Sequence, residues 1–496
     1  MLKPQLGVMA CVLGTILVAG NACSSSVNAL FRDRAGADAG SSGGGSIIAP
    51  IQGCPNLSGG PAGVQPLASP AQVAHQRTEL AAFIHFGLGT FDGTEYGDAS
   101  QDSPSLFNPT NLDATEWVSE LQNAGFREGL LVTKHATGFC LWPSAQTDYS
   151  VKNSPWKNGQ GDVVGDFANA MRAAGMRMSF YLSPWDEHYP SSAADYDTYF
   201  RNQLTELLTN YGPVYEIYFD GHRAPALDWG GIAQLAKRLQ PNVLVWLGPE
   251  IATSGAGVRW IGNQYGQGSR STSSVADVPN GGPSNVWYPV DATVSDRGSS
   301  WFWHADGSVM TLTSLETVYF DTVGMNTTLV LNVPPATTGQ FDTPDIKLLE
   351  DFGTWYSSLY KENLVRSQPA TADSSWANAG FDAAKAVDDD VCTYWAAASG
   401  RTSARLEVTP ASPITFQVIS IREPIELGER STGYHVEIKQ NGTWNDAPTD
   451  ASGARIQGTV IGQRQLWQLN STTAEAVALV IDSAKDVPTI AEFSAY

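Results

Sequence analysis

Between Ala71 and Glu362 two kinds of segment alternate, and that alternation limits the fold more than any other feature of the chain. Short apolar runs occur at Ala81–Phe86, Leu130–Lys134, Met178–Leu182, Tyr215–Phe219, Val243–Leu247, Val258–Ile261 and Thr328–Val333. Runs of this length, apolar on both faces, predict strands buried on both sides of a parallel sheet. Stretches of helical period lie between them, at Thr115–Ala124, Val163–Ala174, Tyr196–Tyr211, Ile232–Leu239 and Leu312–Val323. Gly125, Gly175 and Gly212 follow three of these, where a left-handed residue closes the last turn. Repeated strand–helix order predicts an α/β domain over residues 67–362, a (β/α)8-like barrel of the TIM type.

The two ends of the chain read differently. From residue 363 to 496 short alternating segments such as Arg405–Val408, Phe416–Glu423, Tyr434–Lys439, Leu466–Leu469 and Val477–Ile481 predict an all-β sandwich. At the other end, Lys3 precedes an apolar run from Gly7 to Gly20 that is too short to span a bilayer as a mature helix. It has the form of a secretory signal over residues 1–23. Cys23, after small residues and before serines, matches a lipoprotein cleavage site, although Gly20 stands where that pattern usually has Leu. Ordinary secretion with cleavage nearby is the alternative. Residues 24–66, rich in Ser, Gly and Ala, predict a flexible tether. Signal removal and lipidation leave Cys54, Cys140 and Cys392, which allow at most one bridge, and none is expected between Cys140 and Cys392.

A net charge of −21 argues against nucleic acid and against anionic membranes, leaving an N-terminal lipid anchor as the only membrane contact expected. Fifteen Trp and seventeen Tyr suit a neutral sugar, whose C–H faces stack on aromatic rings, but they serve a core equally well. No His-x-x-x-His or Cys-x-x-Cys, no phosphate-cradling glycine loop and no Gly-x-Ser-x-Gly elbow between a predicted strand and helix occurs, so neither metal nor cofactor is expected. In α/β barrels the strand ends and the loops after them build the site. The predicted strands end in His85, in Lys134 and His135, in Tyr181 with Trp185, Asp186 and His188, in Asp220 with His222, and in Arg259 with Trp260. Asp220 could merely cap the next helix, and a lone His on an apolar strand is commonly a bonded core residue. Their recurrence at equivalent positions favours a site, with Asp220 as a nucleophile for glycosidic bond cleavage.

Several of these stretches resemble glycoside hydrolase family 29 alpha-L-fucosidases, the branch acting on 1,3- and 1,4-linked fucose. They are His85-Phe86-Gly87, Phe107-Asn108-Pro109, Lys134-His135 with Gly138–Ser144, Val151–Trp156, Gly159–Val164, Tyr181–Asp186, Phe219-Asp220-Gly221, Arg259–Asn263 and Leu331–Pro335. The tail, with Ala386–Asp390, Thr393-Tyr394-Trp395 and Ile419–Glu423, resembles the discoidin-like domain (coagulation factor type C, carbohydrate-binding module family 32). The resemblance implies an exported retaining enzyme acting on fucosylated oligosaccharides or glycoconjugates. It makes Asp220 the nucleophile, places His85, Glu95, Tyr96, His135, Tyr181, Trp185, Tyr218, Arg259 and Trp260 around the sugar, and puts Lys134, also counted among the substrate-binding residues, in the shell behind them.

Two departures from the family pattern bear on function. Gln264 stands where this branch carries its acid/base Glu, and an amide can neither protonate a leaving oxygen nor activate water. Ala136-Thr137 replaces His-Asp after His135, which removes an imidazole. The acid role falls to Glu250 or Asp291, and Asp291 is favoured because Trp287–Asp291 resembles a family loop bordering the pocket that bears a Glu. Otherwise the barrel handles a related sugar such as an alpha-L-galactoside, or binds glycans without cleaving them.

Overall fold

The computed structural model describes residues 53–54, 57–98, 100, 102–189, 194–221, 223–252, 257–378, 380–449 and 453–496. The expected signal, Cys23, most of the expected tether and His222 lie outside the described residues.

Eight strands form the barrel: β1 Leu80–Ile84, β2 Glu128–Lys134, β3 Arg177–Leu182, β4 Glu216–Phe219, β5 Leu244–Leu247, β6 Arg259–Trp260, β7 Val290–Ser295 and β8 Thr328–Asn332. They lie in the order β5-β4-β3-β2-β1-β8-β7-β6, and every pairing is parallel. A parallel bridge between Trp246 and Val258 joins β5 to the start of β6, so the sheet is nearly closed. Strand β7 was not expected, and Asp291, assigned to a loop, is its second residue. Its Asp, Thr and Ser break the apolar signature of a doubly buried strand.

Side chains alternate across the strands as a period of two requires. Ala82, Ile84, Leu131, Phe180, Ile217, Phe219, Val245 and Leu331 face outward, into the layer shared with the helices. Ala81, Phe83, Leu130, Val132, Tyr181, Tyr218, Leu244, Trp246 and Val330 fill the interior. Tyr218 stacks on Trp246 with ring centroids 3.6 Å apart and planes 13° from parallel. The helices begin where the chain supplies an acceptor. Asp113 caps Ala114–Asn123, Asp162 caps Val163–Ala174 and Asp228 caps Trp229–Leu239. Tyr196–Asn210, Leu312–Thr322 and Thr343–Leu359 are further helices of the barrel domain, and Pro70–Thr78, opened by a Ser69/Gln72 capping box, precedes β1.

Beyond the barrel, antiparallel strands form two main sheets. One has the order Ala370–Ala372, Ala404–Val408, Ala476–Ala484, Ser431–Gln440, Thr443–Asp446; the other has Ile414–Arg422 between Gln465–Ala474 and Glu492–Ala495. The two domains are clasped by ions. Glu79, buried at the end of the helix before β1, meets Arg464 at 2.6 Å and Arg422 at 2.9 Å. Burial pushes its carboxyl up, but Arg422, Arg464 and Arg127 outweigh that and hold it below the usual range. Arg270 of the barrel lies 3.8 Å over the ring of Trp467 and donates to the Leu466 carbonyl.

The expected tether stops short of residue 66. Cys54 forms a disulfide with Cys392, Val64 N donates to Leu427 O at 2.8 Å, and Arg430 donates to Ala62 O. The end of the segment is therefore docked on the sandwich, while Cys140 is a free, buried thiol. Closing a chain separation of 338 residues restricts the unfolded ensemble. Replacing Cys54 with Ser should lower unfolding stability by about 2–4 kcal/mol. Denaturant melts of the two proteins, with and without reductant, check this, and reductant should affect only the parent.

Candidate active site

A cavity of about 210 Å³ opens at the carboxyl ends of the strands. Alternation along β4 explains how Asp220 reaches it. Glu216, Tyr218 and Asp220 share one face, so a residue just past the strand end inherits the inward direction. Tyr181, inward on β3, donates to Asp220 Oδ2 across 3.5 Å. Its phenol is held well above its ordinary pKa, first by burial and then by the Asp220 charge, so it remains a donor.

His85 follows β1 and is 4% exposed. Asn332, the last residue of β8, fixes its tautomer. The amide nitrogen of Asn332 donates to Trp301 O at 2.8 Å and to Ser295 Oγ at 3.0 Å. Its oxygen therefore faces His85, accepting from Nδ1–H at 2.7 Å, and Nε2 is left as an acceptor on the cavity side. Burial, with help from the neighbouring His135, depresses this imidazole well below its ordinary pKa. His135 lies 5.8 Å away between ring centroids and stacks on Tyr181. The Glu95 carboxylate accepts from Trp301 N and pairs with His304 Nε2, each at 2.8 Å.

Aromatic rings make up much of the wall. Tyr96, 51% exposed, lies against His135 and Trp185. Trp260 donates from Nε1 to Thr293 Oγ1 at 3.0 Å. Trp246, Thr293 and Trp301 also line the cavity and were not anticipated from sequence. The aromatic run Trp301-Phe302-Trp303-His304 after a Gly-Ser-Ser turn was the available signal.

Three expected site residues do not line the cavity, and for Lys134 a place behind it is the expected one. Lys134 is buried, its ammonium bonded to Asp186 at 3.0 Å and to Gln203 at 2.9 Å, so it braces the β2 and β3 ends behind the cavity. Arg259 donates to the carbonyls of Tyr288 and Ser273 and holds the loop before β7. Asp291, the favoured acid, is 0% exposed and bonded to His75 at the amino-terminal end of the barrel. It is the second residue of β7, whereas the cavity is built where strands finish, so it is not the acid. Of the two candidates Glu250 lines the cavity, as does Gln264. A Cβ on Gly221 would come within 2.4 Å of Glu250 Oε2, so a glycine after Asp220 leaves the space this carboxylate occupies. His188 is not part of the cavity lining and stacks on Tyr149 with centroids 4.1 Å apart.

The cavity thus combines three carboxyl groups, of Glu95, Asp220 and Glu250, with imidazole and hydroxyl partners for a polyol and indole faces for its apolar side. The comparisons point the same way. The alpha-L-fucosidase family model matches residues 73–360, and the F5/8 type C domain model matches residues 369–493. "Alpha-L-fucosidase 1" of Arabidopsis thaliana is 33% identical over 462 residues, covering 88% of each chain. The solved structure of SpGH29 superposes with a TM-score of 0.81 at 33% identity, covering 88% of this chain and 99% of that one. A Ruminococcus gnavus GH29 fucosidase in complex with fucose superposes at 0.78 with 28% identity, covering 90% and 98%. The chain belongs to the alpha-L-fucosidase family of glycoside hydrolases, family 29, and carries an F5/8 type C domain after its barrel.

Proposed function

We propose that this chain removes alpha-L-fucosyl residues from glycans by double displacement, with Asp220 as nucleophile and Glu250 as acid/base. The observation that carries the proposal is that Asp220 and Glu250 line one cavity while Asp291 does not. Asp220 attacks the anomeric carbon as Glu250 gives a proton to the departing oxygen, forming a glycosyl-enzyme ester. Glu250 then takes a proton from the water that hydrolyses the ester, and configuration is retained. Retaining sites set their two carboxyl groups about 5–5.5 Å apart, close enough for one to attack while the other protonates. Gln264 can bond a sugar hydroxyl from the same cavity but carries no acidic proton. His85, neutral and presenting Nε2, accepts from a sugar hydroxyl. The 1,3 and 1,4 linkages of the branch that the motifs resemble are the proposed targets. Export fits the Cys54–Cys392 bridge, since disulfides persist in oxidising compartments, and Cys23 is the proposed lipid anchor.

Azide separates the two carboxyl roles. In Asp220→Gly turnover should vanish, and added azide should convert an activated aryl alpha-fucoside into the beta-fucosyl azide. In Glu250→Gln azide should yield the alpha-fucosyl azide, because Asp220 still attacks first. Hydrolysis of a natural fucoside should fall about 10²–10⁴-fold in Glu250→Gln. Unchanged natural-substrate hydrolysis in that variant would exclude Glu250 as the acid.

The His85 tautomer gives a separate test through pH. In the parent His85 stays neutral well below its ordinary pKa, so its protonation leaves no limb in the profile near neutrality. A carboxylate at position 332, made by Asn332→Asp, stabilises the imidazolium and raises that pKa. Nε2 then becomes a donor at acid pH, and kcat/KM should fall as pH drops through the new value. Profiles of the two proteins that coincide between pH 5 and 8 would contradict the acceptor role.

A further inference from the structure

At the end of the barrel away from the cavity lies a buried ionic cluster that the reaction does not use. His75 enters it from the helix Pro70–Thr78, Glu128 begins β2, Glu216 begins β4 and Asp291 is near the start of β7. They are 1%, 1%, 2% and 0% exposed. One ligating atom each of His75, Glu128 and Glu216 falls within 4.8 Å of the others. His75 Nε2 is 2.7 Å from Asp291 Oδ1, which assigns that nitrogen a proton, so that in the neutral imidazole Nδ1 carries the lone pair. Nδ1 has no hydrogen-bond partner, nor does Glu216 Oε1, while Glu128 Oε2 faces only the Arg177 guanidinium and its Oε1 accepts from Ser179 Oγ. Orphaned acceptors in an interior bear an uncompensated desolvation cost unless something electropositive sits between them.

Charge points to the same occupant. Arg177, whose Nε is 3.2 Å from Glu128 Oε2, is the cation paired with this cluster. With a neutral imidazole, three carboxylates against one guanidinium leave two negative charges unbalanced in a dry interior. An imidazole donating to a carboxylate from one nitrogen, with its other nitrogen unengaged, is the usual arrangement of a metal-bound histidine. Ligand atoms about 2.0–2.2 Å from a common ion lie within roughly 4.4 Å of each other, so the trio needs only a slight closing.

We propose that the barrel floor binds one divalent transition cation, Zn²⁺ or Mn²⁺, through His75 Nδ1, Glu128 and Glu216, with Asp291 orienting the imidazole. Imidazole with two carboxylates suits these ions better than Mg²⁺ or Ca²⁺, which take all-oxygen sets. The ion ties the helix below the barrel to β2 and β4, the neighbours on either side of β3. Its role is structural, because the ligands lie away from the cavity. Sequence spacing gives no sign of it, since the three ligands come from three separate elements.

The test uses the full chain, purified without chelator and also refolded from denaturant with Zn²⁺, with Mn²⁺ or with chelator alone. Elemental analysis should find one ion per chain in the native or metal-refolded protein, and the chelator-refolded protein should melt at a lower temperature. Glu216→Gln should abolish stoichiometric binding, and Asp291→Asn should weaken it about 10–100-fold. If Glu216→Gln fails to fold, the metal content and paired melts of the parent decide alone. A parent chain that holds no stoichiometric ion under any of these conditions, with coincident melts, overturns the proposal. The cluster is then balanced by protons, with His75 as imidazolium and Glu216 as the neutral acid.

Discussion

Closure of eight strands that all run the same way is the constraint on which the rest of this molecule depends. Once every pairing is parallel, each carboxyl end must arrive at the same mouth, whatever the loops do. The seam is slight, a single bridge between Trp246 and Val258, and it is reinforced from within where Trp246 stacks on Tyr218. A single face of β4 links the three levels of the interior. Glu216 lies at the floor, Tyr218 in the stacked middle and Asp220 at the mouth. Burial along that face thus positions the Asp220 carboxylate without asking a long loop to do so.

Behind the cavity, rigidity comes from polar groups whose partners are fully specified. Asn332 can satisfy Trp301 O, Ser295 Oγ and His85 together in one orientation of its amide. Lys134 is held charged because Asp186 and other nearby groups outweigh the burial that opposes its charge. Breaking either arrangement leaves buried polar atoms unpaired, which penalises alternative rotamers more than the intact contacts favour the native one. The wall residues can therefore be exposed and aromatic while the groups that aim them remain fixed.

Much of this was legible in the chain. The strand-end residues His85, His135, Tyr181, Asp220 and Trp260 converge as their positions after apolar runs imply. Strand β7 was not legible, and the reason is specific. Its inward residues Asp291, Thr293 and Ser295 are polar, and each is matched by a residue distant in sequence: His75, Trp260 and Asn332. Local pattern cannot reveal a strand whose polar side chains find partners on other elements, which is why Asp291 reads as a mouth residue. The docked end of the tether was hidden for a similar reason. Gly and Pro around Cys54 read as linker, and only the fold brings Cys392 beside it.

That bridge has a further consequence for the covalent topology. Between Cys54 and Cys392 the backbone and the disulfide form a closed ring that contains the whole barrel. A protease that cuts one loop of the barrel opens the ring but frees no fragment. The two pieces stay joined through sulfur, and everything from the sandwich onward remains attached to the N-terminal segment. A single cut in the barrel is then damage that leaves the chain in one piece.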